Sequence, residues 1–113
     1  MLRVKRVYEP RSAEDGFRVL VDRIWPRGVT KADAAIDLWL KDVAPSAELR
    51  RWFGHDPQKW TELRRRYAEE LDARIGAIEM LRRKMDEGDV TLVYAARDRE
   101  HNNAVALKEY LAR

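Results

Sequence analysis

Apolar positions recur along this chain in two periods, and the periods divide it into strands and helices. The clearest strand is VTLVYAA, Val90 to Ala96, a nearly unbroken apolar run after the turn at Gly88-Asp89. In FRVLVDRIW, the run Val19-Leu20-Val21 has the continuous apolar character of a strand buried on both faces. LRVKRVY, Leu2 to Tyr8, alternates imperfectly, with Leu2, Val4 and Arg6 on one side and Arg3, Lys5 and Val7 on the other. AIDLWLK places Ile36, Leu38 and Leu40 at period two. It reads as a short strand in preference to part of a helix begun near Thr30.

Helical spacing is plainer. Pro45 followed by Ser46 is a stop and then an N-cap, opening AELRRWF and closing at Gly54. Asp56-Pro57 is a second start, with Asp56 as cap and Pro57 at the first position, where its missing N–H costs nothing. From there Trp60, Leu63, Tyr67, Leu71, Ile75, Ile78, Leu81 and Met85 follow helical spacing. Glu62–Arg66, Glu70–Arg74 and Glu79–Arg83 stand at i,i+4 on the outer face. One straight helix of that span would be about 45 Å long at about 1.5 Å per residue. A domain this size has a radius of gyration of about 13 Å, so a break is expected between Asp72 and Gly76. A last helix runs from about Asn103 to Leu111, capped by Asn102 or Asn103.

Strands first and last with helices between them predict an α/β domain: one layered unit over residues 1–113, with a small, mostly parallel or mixed sheet flanked by helices. The first connection, EPRSAEDG, is short for a parallel crossover. It holds either one helical turn or an antiparallel link.

Composition narrows the class. The chain has 113 residues, 45% apolar and 38% charged, which describes a densely charged globular domain. It has no cysteine, so disulfides, thiolate metal sites and a cysteine nucleophile are excluded. No run is long and apolar enough to span a membrane. The expected setting is the cytoplasm. The net charge is +3, and arginine, the better fork for phosphate and carboxylate, outnumbers lysine. A GC-rich genome is the simpler explanation of that count.

Three polar clusters stand where loops are predicted: Asp22, Arg23, Trp25, Arg27 and Lys31; then His55-Asp56; then Arg97, Asp98, Arg99, His101, Asn102 and Asn103. The first and third leave the carboxyl ends of apolar strands, the edge at which α/β sheets bind ligands. Each residue also has a structural explanation. Asp22 and Arg23 can pair, Trp25 can lid the core beneath its turn, His55 can close a turn, and Asn102 or Asn103 can cap. Phosphate-loop, dinucleotide and nucleophile-elbow motifs are absent. Two histidines separated by 45 residues give no metal-ligand spacing, so neither a metal nor another cofactor is expected.

The stretches DGFRVLVDRIWPRGVTK, LWLKDVAPSAELRRWFGHDPQKW, RYAEEL and VTLVYAARDREHNNAVALKEYL resemble the YeaO-like proteins, small bacterial proteins of a domain-of-unknown-function family. The resemblance runs from about Val4 to Leu111. It implies an α/β fold and a pocket at DRIWPRG and HD, and it carries over no established activity. A longer branch of that family bears cysteine and a Cys-His-Arg element near the last loop. Here that stretch reads YAARDREHNN, so no cysteine chemistry transfers.

Two functions compete. In the first, a cleft binds a small anionic, phosphate- or nucleotide-like ligand. Arg23, Arg27, Lys41, Arg97 and Asn103 grip charge, Trp25 stacks, and His55 with Asp56 or Asp98 moves a proton if there is catalysis. In the second, the protein is a nucleic-acid-associated or regulatory interaction module using LRRRYAEE and LRRKMDE. Those runs are interrupted by acids, so nucleic-acid binding is expected to be weak or absent. The residues leave open whether the protein is an enzyme and how many copies assemble.

Overall fold

A computed structural model describes every residue, Met1–Arg113. Its strands are β1 (Leu2–Arg6), β2 (Phe17–Leu20), β3 (Leu38–Trp39) and β4 (Val90–Tyr94), and its helices are α1 (Lys31–Ala34), α2 (Ala47–Phe53), α3 (Trp60–Asp72), α4 (Ile75–Glu87) and α5 (Asn103–Leu111). The strands form a single sheet in the order β1–β4–β2–β3, and every pairing is parallel. The continuous apolar run therefore sits in the middle. Val90 pairs with Leu2 on one side and Phe17 on the other, and all of β4 is buried.

The antiparallel alternative for β1 and β2 is not realised. The two strands are not neighbours, because β4 lies between them. A short return suffices, and it holds one 3-10 turn, Ala13–Asp15, at whose start the Ser12 side chain accepts from Glu14 N–H. Of AIDLWLK, read as a strand in preference to a helix begun near Thr30, only Leu38–Trp39 is strand, and a separate helical turn precedes it. Thr30 caps the single turn of α1, and β3 follows it.

The long helical pattern breaks where its length required. Ala73 and Arg74 separate α3 from α4, and the radius of gyration is 13.3 Å. Arg74 holds the break in place by donating to the carbonyls of Asp42 and Ala44. The Glu62–Arg66 and Glu70–Arg74 pairs form, whereas Glu79–Arg83 does not. No helix is long and apolar enough to cross a membrane.

Period-two alternation sends the strand side chains to opposite faces. Val19, Val21, Val90, Leu92 and Tyr94 enter the larger core with residues of α2 to α5. Val7, Leu20 and Val93 enter a smaller one with Ala34 of α1. After β2 the chain turns toward the smaller core, and after β4 toward the larger one. Neighbouring strands whose chains leave to opposite faces open a crevice at their carboxyl ends.

Asp22 spans that crevice. Its Oδ2 accepts from the Ala95 N–H at 2.9 Å and its Oδ1 from Asn103 Nδ2 at 3.1 Å. Asn103 Nδ2 also reaches the Val21 carbonyl at 3.0 Å, and Trp39 Nε1 donates to the Asp22 carbonyl at 2.7 Å. Burial pushes the Asp22 carboxyl above its ordinary range, against the opposing pull of the Asn103 and Ala95 donors.

Two stability predictions follow from these contacts. Asp22→Ala strands the Ala95 N–H and leaves Asn103 only its Val21 contact, and should lower stability by about 1–3 kcal/mol in urea unfolding; a loss indistinguishable from zero would mean that the bridge holds nothing. Gly16 has φ +64°, and a Cβ there would lie 2.2 Å from the Asp89 carbonyl oxygen. Gly28 has φ +75° with open space around it. Gly28→Ala should therefore cost only the left-handed penalty of about 1–2 kcal/mol. Gly16→Ala adds a backbone clash and should cost about 3 kcal/mol or more; equal losses at the two sites would refute the close approach.

Candidate functional site

The crevice between β2 and β4 widens into a cavity of about 1160 Å³. One wall is the turn after β2. Pro26 is buried and Gly28 supplies the positive φ that reverses the chain. Trp25 Nε1 closes the turn on the Val29 carbonyl at 2.7 Å, and Tyr8 Oη donates to the Arg27 carbonyl at 2.8 Å. The opposite wall is the loop after β4 and the start of α5. The carboxyl end of β1 and the end of α2 complete the rim.

Of the site residues expected from sequence, Arg23, Trp25, Arg27, His55, Arg97, Asp98 and Asn103 line this cavity. Lys41 and Asp56 do not. Lys41 follows the edge strand β3, and its Nζ lies 4.0 Å from the centre of the Trp39 ring. It borders a separate depression of about 420 Å³ with Arg23 and Arg74. Asp56 is occupied as a cap, its Oδ1 accepting from Gln58 N–H at 3.0 Å.

Trp25 is half-buried against the smaller core, edge-on to Trp39 with ring centroids 5.4 Å apart. The lid role is thus realised, with part of the ring left to the cavity. Asp22 and Arg23 do not pair. Asp22 makes the bridge described above, while Arg23 donates to the Pro45 carbonyl at 3.2 Å.

The expected proton-transfer pair is rearranged. His55 is exposed with φ 58°, directly after the left-handed Gly54, and makes no side-chain hydrogen bond to Asp56 or Asp98. Asp98 instead meets His101, with Oδ2 2.9 Å from Nδ1. Its Oδ1 accepts from the backbone N–H groups of Glu100 at 2.9 Å and His101 at 3.0 Å. The Glu100 N–H, with the His101 donors adding to it, holds the Asp98 carboxyl below its usual range. The spacing Asp-x-x-His within one turn was the available signal for this pair.

Sequence reasoning also missed Arg6, Tyr8 and Arg50, which reach the cavity from β1 and α2. Arg6 is the last residue of β1, and its place at the cavity follows once that strand is known to be parallel. Its guanidinium stacks on Tyr8 at 4.6 Å and donates to the Ala95 and Ala96 carbonyls.

The resulting charge is lopsided. Arg6, Arg23, Arg27, Arg50 and Arg97 line the cavity against only Asp22 and Asp98, and none of these arginines forms a salt bridge. Phe53 and Leu63 supply a buried apolar floor with Trp25 beside it, Ile24 lies exposed at the rim, and the lining contains no serine, threonine or cysteine. No three His, Asp or Glu side chains converge as a metal-ligand set.

The chain matches the family model described as "Inactive DUF488-N3 subclade" over residues 1–113. It is 46% identical over 110 residues to uncharacterized proteins of Mycobacterium bovis and Mycobacterium tuberculosis, covering 97% of this chain and 92% of theirs. It is 37% identical over 110 residues to the uncharacterized protein YeaO of Escherichia coli, covering 97% of this chain and 96% of that one. No solved structure matches it. With one family model across its whole length and relatives at this identity, the chain belongs to the inactive DUF488-N3 subclade, the group of YeaO-like proteins.

Proposed function

We propose that the cleft binds a small anionic ligand, of the phosphate- or nucleotide-like class, and holds it without covalent chemistry. The observation that carries this reading is the group of five lining arginines that no carboxylate neutralises. A protein normally pairs a guanidinium that it holds in a concave site, because crowding like charges costs energy unless an anion compensates. The apolar floor fits a ligand with a planar or apolar part beside its charge. The volume of about 1160 Å³ is somewhat above the range of about 300–1000 Å³ usual for small-molecule sites.

Binding without turnover agrees with the lining, which offers no serine, threonine or cysteine nucleophile. It also agrees with the description of the subclade as inactive. The nucleic-acid alternative draws less support, because the arginines of α3 are already paired and only Arg82 and Arg83 of the LRRKMDE run are left without a carboxylate. Arg65 and Arg66 both pair with Glu62, Arg65 also with Glu69, and Arg64 pairs with Glu109. The proposed setting is the cytoplasm, since a chain without cysteine needs no oxidising compartment to fold.

Calorimetric titration with adenosine 5′-monophosphate and with inorganic phosphate tests the reading. Arg27 is exposed and its side chain makes no hydrogen bond. Arg27→Ala should therefore change stability by no more than about 0.5 kcal/mol. It should weaken anion binding by about 1.5–3 kcal/mol, the range of a charged hydrogen bond. If neither anion binds the parent protein, or if Arg27→Ala melts several degrees lower with binding intact, the turn is a structural corner and the anion site is refuted.

A further inference from the structure

The Asp98–His101 pair has a geometry that the anion reading does not use. Asp98 is fixed on three sides: its Oδ1 accepts two backbone N–H groups, and its carbonyl accepts from Asn102 Nδ2 at 2.9 Å. His101 is held by its Nδ1 contact to Oδ2 and by the edge of its ring against Trp60, with centroids 5.4 Å apart and planes at 84°. The ring can neither slide nor flip without losing one of these contacts.

An ionised carboxylate only accepts hydrogen bonds, so the ring atom facing it must carry the proton. The donors on Asp98 favour its ionised form. With Nδ1 protonated, a neutral imidazole leaves Nε2 bare, and a bare Nε2 only accepts. His101 lines the cleft, and its Nε2 has no partner in the protein and is not among the buried, unsatisfied atoms. Beside the cationic groups of the cleft, this nitrogen is therefore an acceptor held in a fixed orientation and free of any protein partner.

Resting on the anion-binding reading, we propose that His101, oriented by Asp98, accepts a hydrogen bond from a hydroxyl group of the bound ligand, so that the cleft selects an anion that also carries a hydroxyl donor. A ribonucleoside monophosphate is the simplest class that combines the features called for. Its phosphate meets the arginines, its base covers the apolar floor, and a sugar hydroxyl donates to Nε2. Inorganic phosphate fills only the first of these roles. His101 is in this scheme a specificity residue, and Asp98 is the residue that positions it.

The scheme makes a claim about the free protein and another about the complex. Long-range proton–nitrogen spectra of the free protein at pH 8 should show Nδ1 of His101 protonated and Nε2 bare. Asp98→Asn presents an amide N–H₂ to the ring and should invert that tautomer. An Nε2–H tautomer, or a doubly protonated ring in the parent, would overturn the proposal whatever binds.

In titrations, the parent should bind adenosine 5′-monophosphate about two- to tenfold more tightly than its 2′,3′-dideoxy analogue, the span of one neutral hydrogen bond. His101→Phe keeps a ring against Trp60 and should bind both nucleotides as the parent binds the analogue. Arg97→Ala should weaken both equally. Equal affinity of the parent for the two nucleotides, or discrimination that survives His101→Phe, refutes the acceptor role and leaves the anion site standing. If neither nucleotide binds the parent, the anion site itself fails and this selection falls with it.

Discussion

The Asp22 carboxylate is the contact on which the site depends. Parallel strands that send their chains to opposite faces must part at their carboxyl ends, and parting leaves backbone N–H groups without a ladder partner. Asp22 takes up one such group, the Ala95 N–H, and at the same time holds the Asn103 side chain at the first residue of α5. One side chain thus fixes the end of β2, the end of β4 and the start of the last helix. The cost is a half-buried carboxyl whose desolvation pushes its pKa upward. The compensation is a crevice that stays open while its walls remain fixed.

Around that crevice five arginines stand together without a carboxylate partner. Arg18 is buried and paired with Asp15, and Arg65 and Arg66 are paired with Glu62 on the outer face of α3. Arg27, Arg50 and Arg97 line the cavity with no hydrogen bond from their side chains to the protein. A genome rich in arginine codons explains how many there are. It does not explain why five unpaired ones share one concave surface, whereas Arg11, Arg51, Arg82, Arg83 and Arg113, also without a salt bridge, lie outside it. The stiff turn at Trp25-Pro26-Arg27-Gly28, pinned by the Trp25–Val29 and Tyr8–Arg27 hydrogen bonds, carries its arginine on an ordered support, which under the proposed function would limit the entropy lost on binding.

Local chemistry was legible in the sequence. The caps at Ser46, Asp56 and Asn102, the left-handed stop at Gly54 and the break after Asp72 all depend on a few adjacent residues, and all appear where the pattern put them. The centrality of β4 was legible because a strand covered on both faces and both edges reads as an unbroken apolar run. What escaped depends on residues far apart in the chain. Strand order decided that EPRSAEDG joins two parallel strands that are not neighbours. That same order brought Arg6 to the cavity, and helix packing brought Arg50. Lys41 and Asp56 were misplaced because an exposed cation beside an aromatic and an acidic cap look the same in sequence whether or not a cavity lies nearby. His55 drew attention over His101 because it adjoins an aspartate directly, whereas the contact actually made spans one turn, from Asp98 to His101.

The central claim is that the arginine-lined crevice between β2 and β4, and no other surface, takes up an anion. Mapping backbone amide shifts as adenosine 5′-monophosphate is added tests this most directly. The account predicts that the largest movements fall in the segment from Asp22 to Gly28 and in the segment from Ala95 to Asn103, with the outer face of α3 around Arg65 unmoved. Movements concentrated on α3 and α4, or none in either crevice segment at saturating nucleotide, would contradict it.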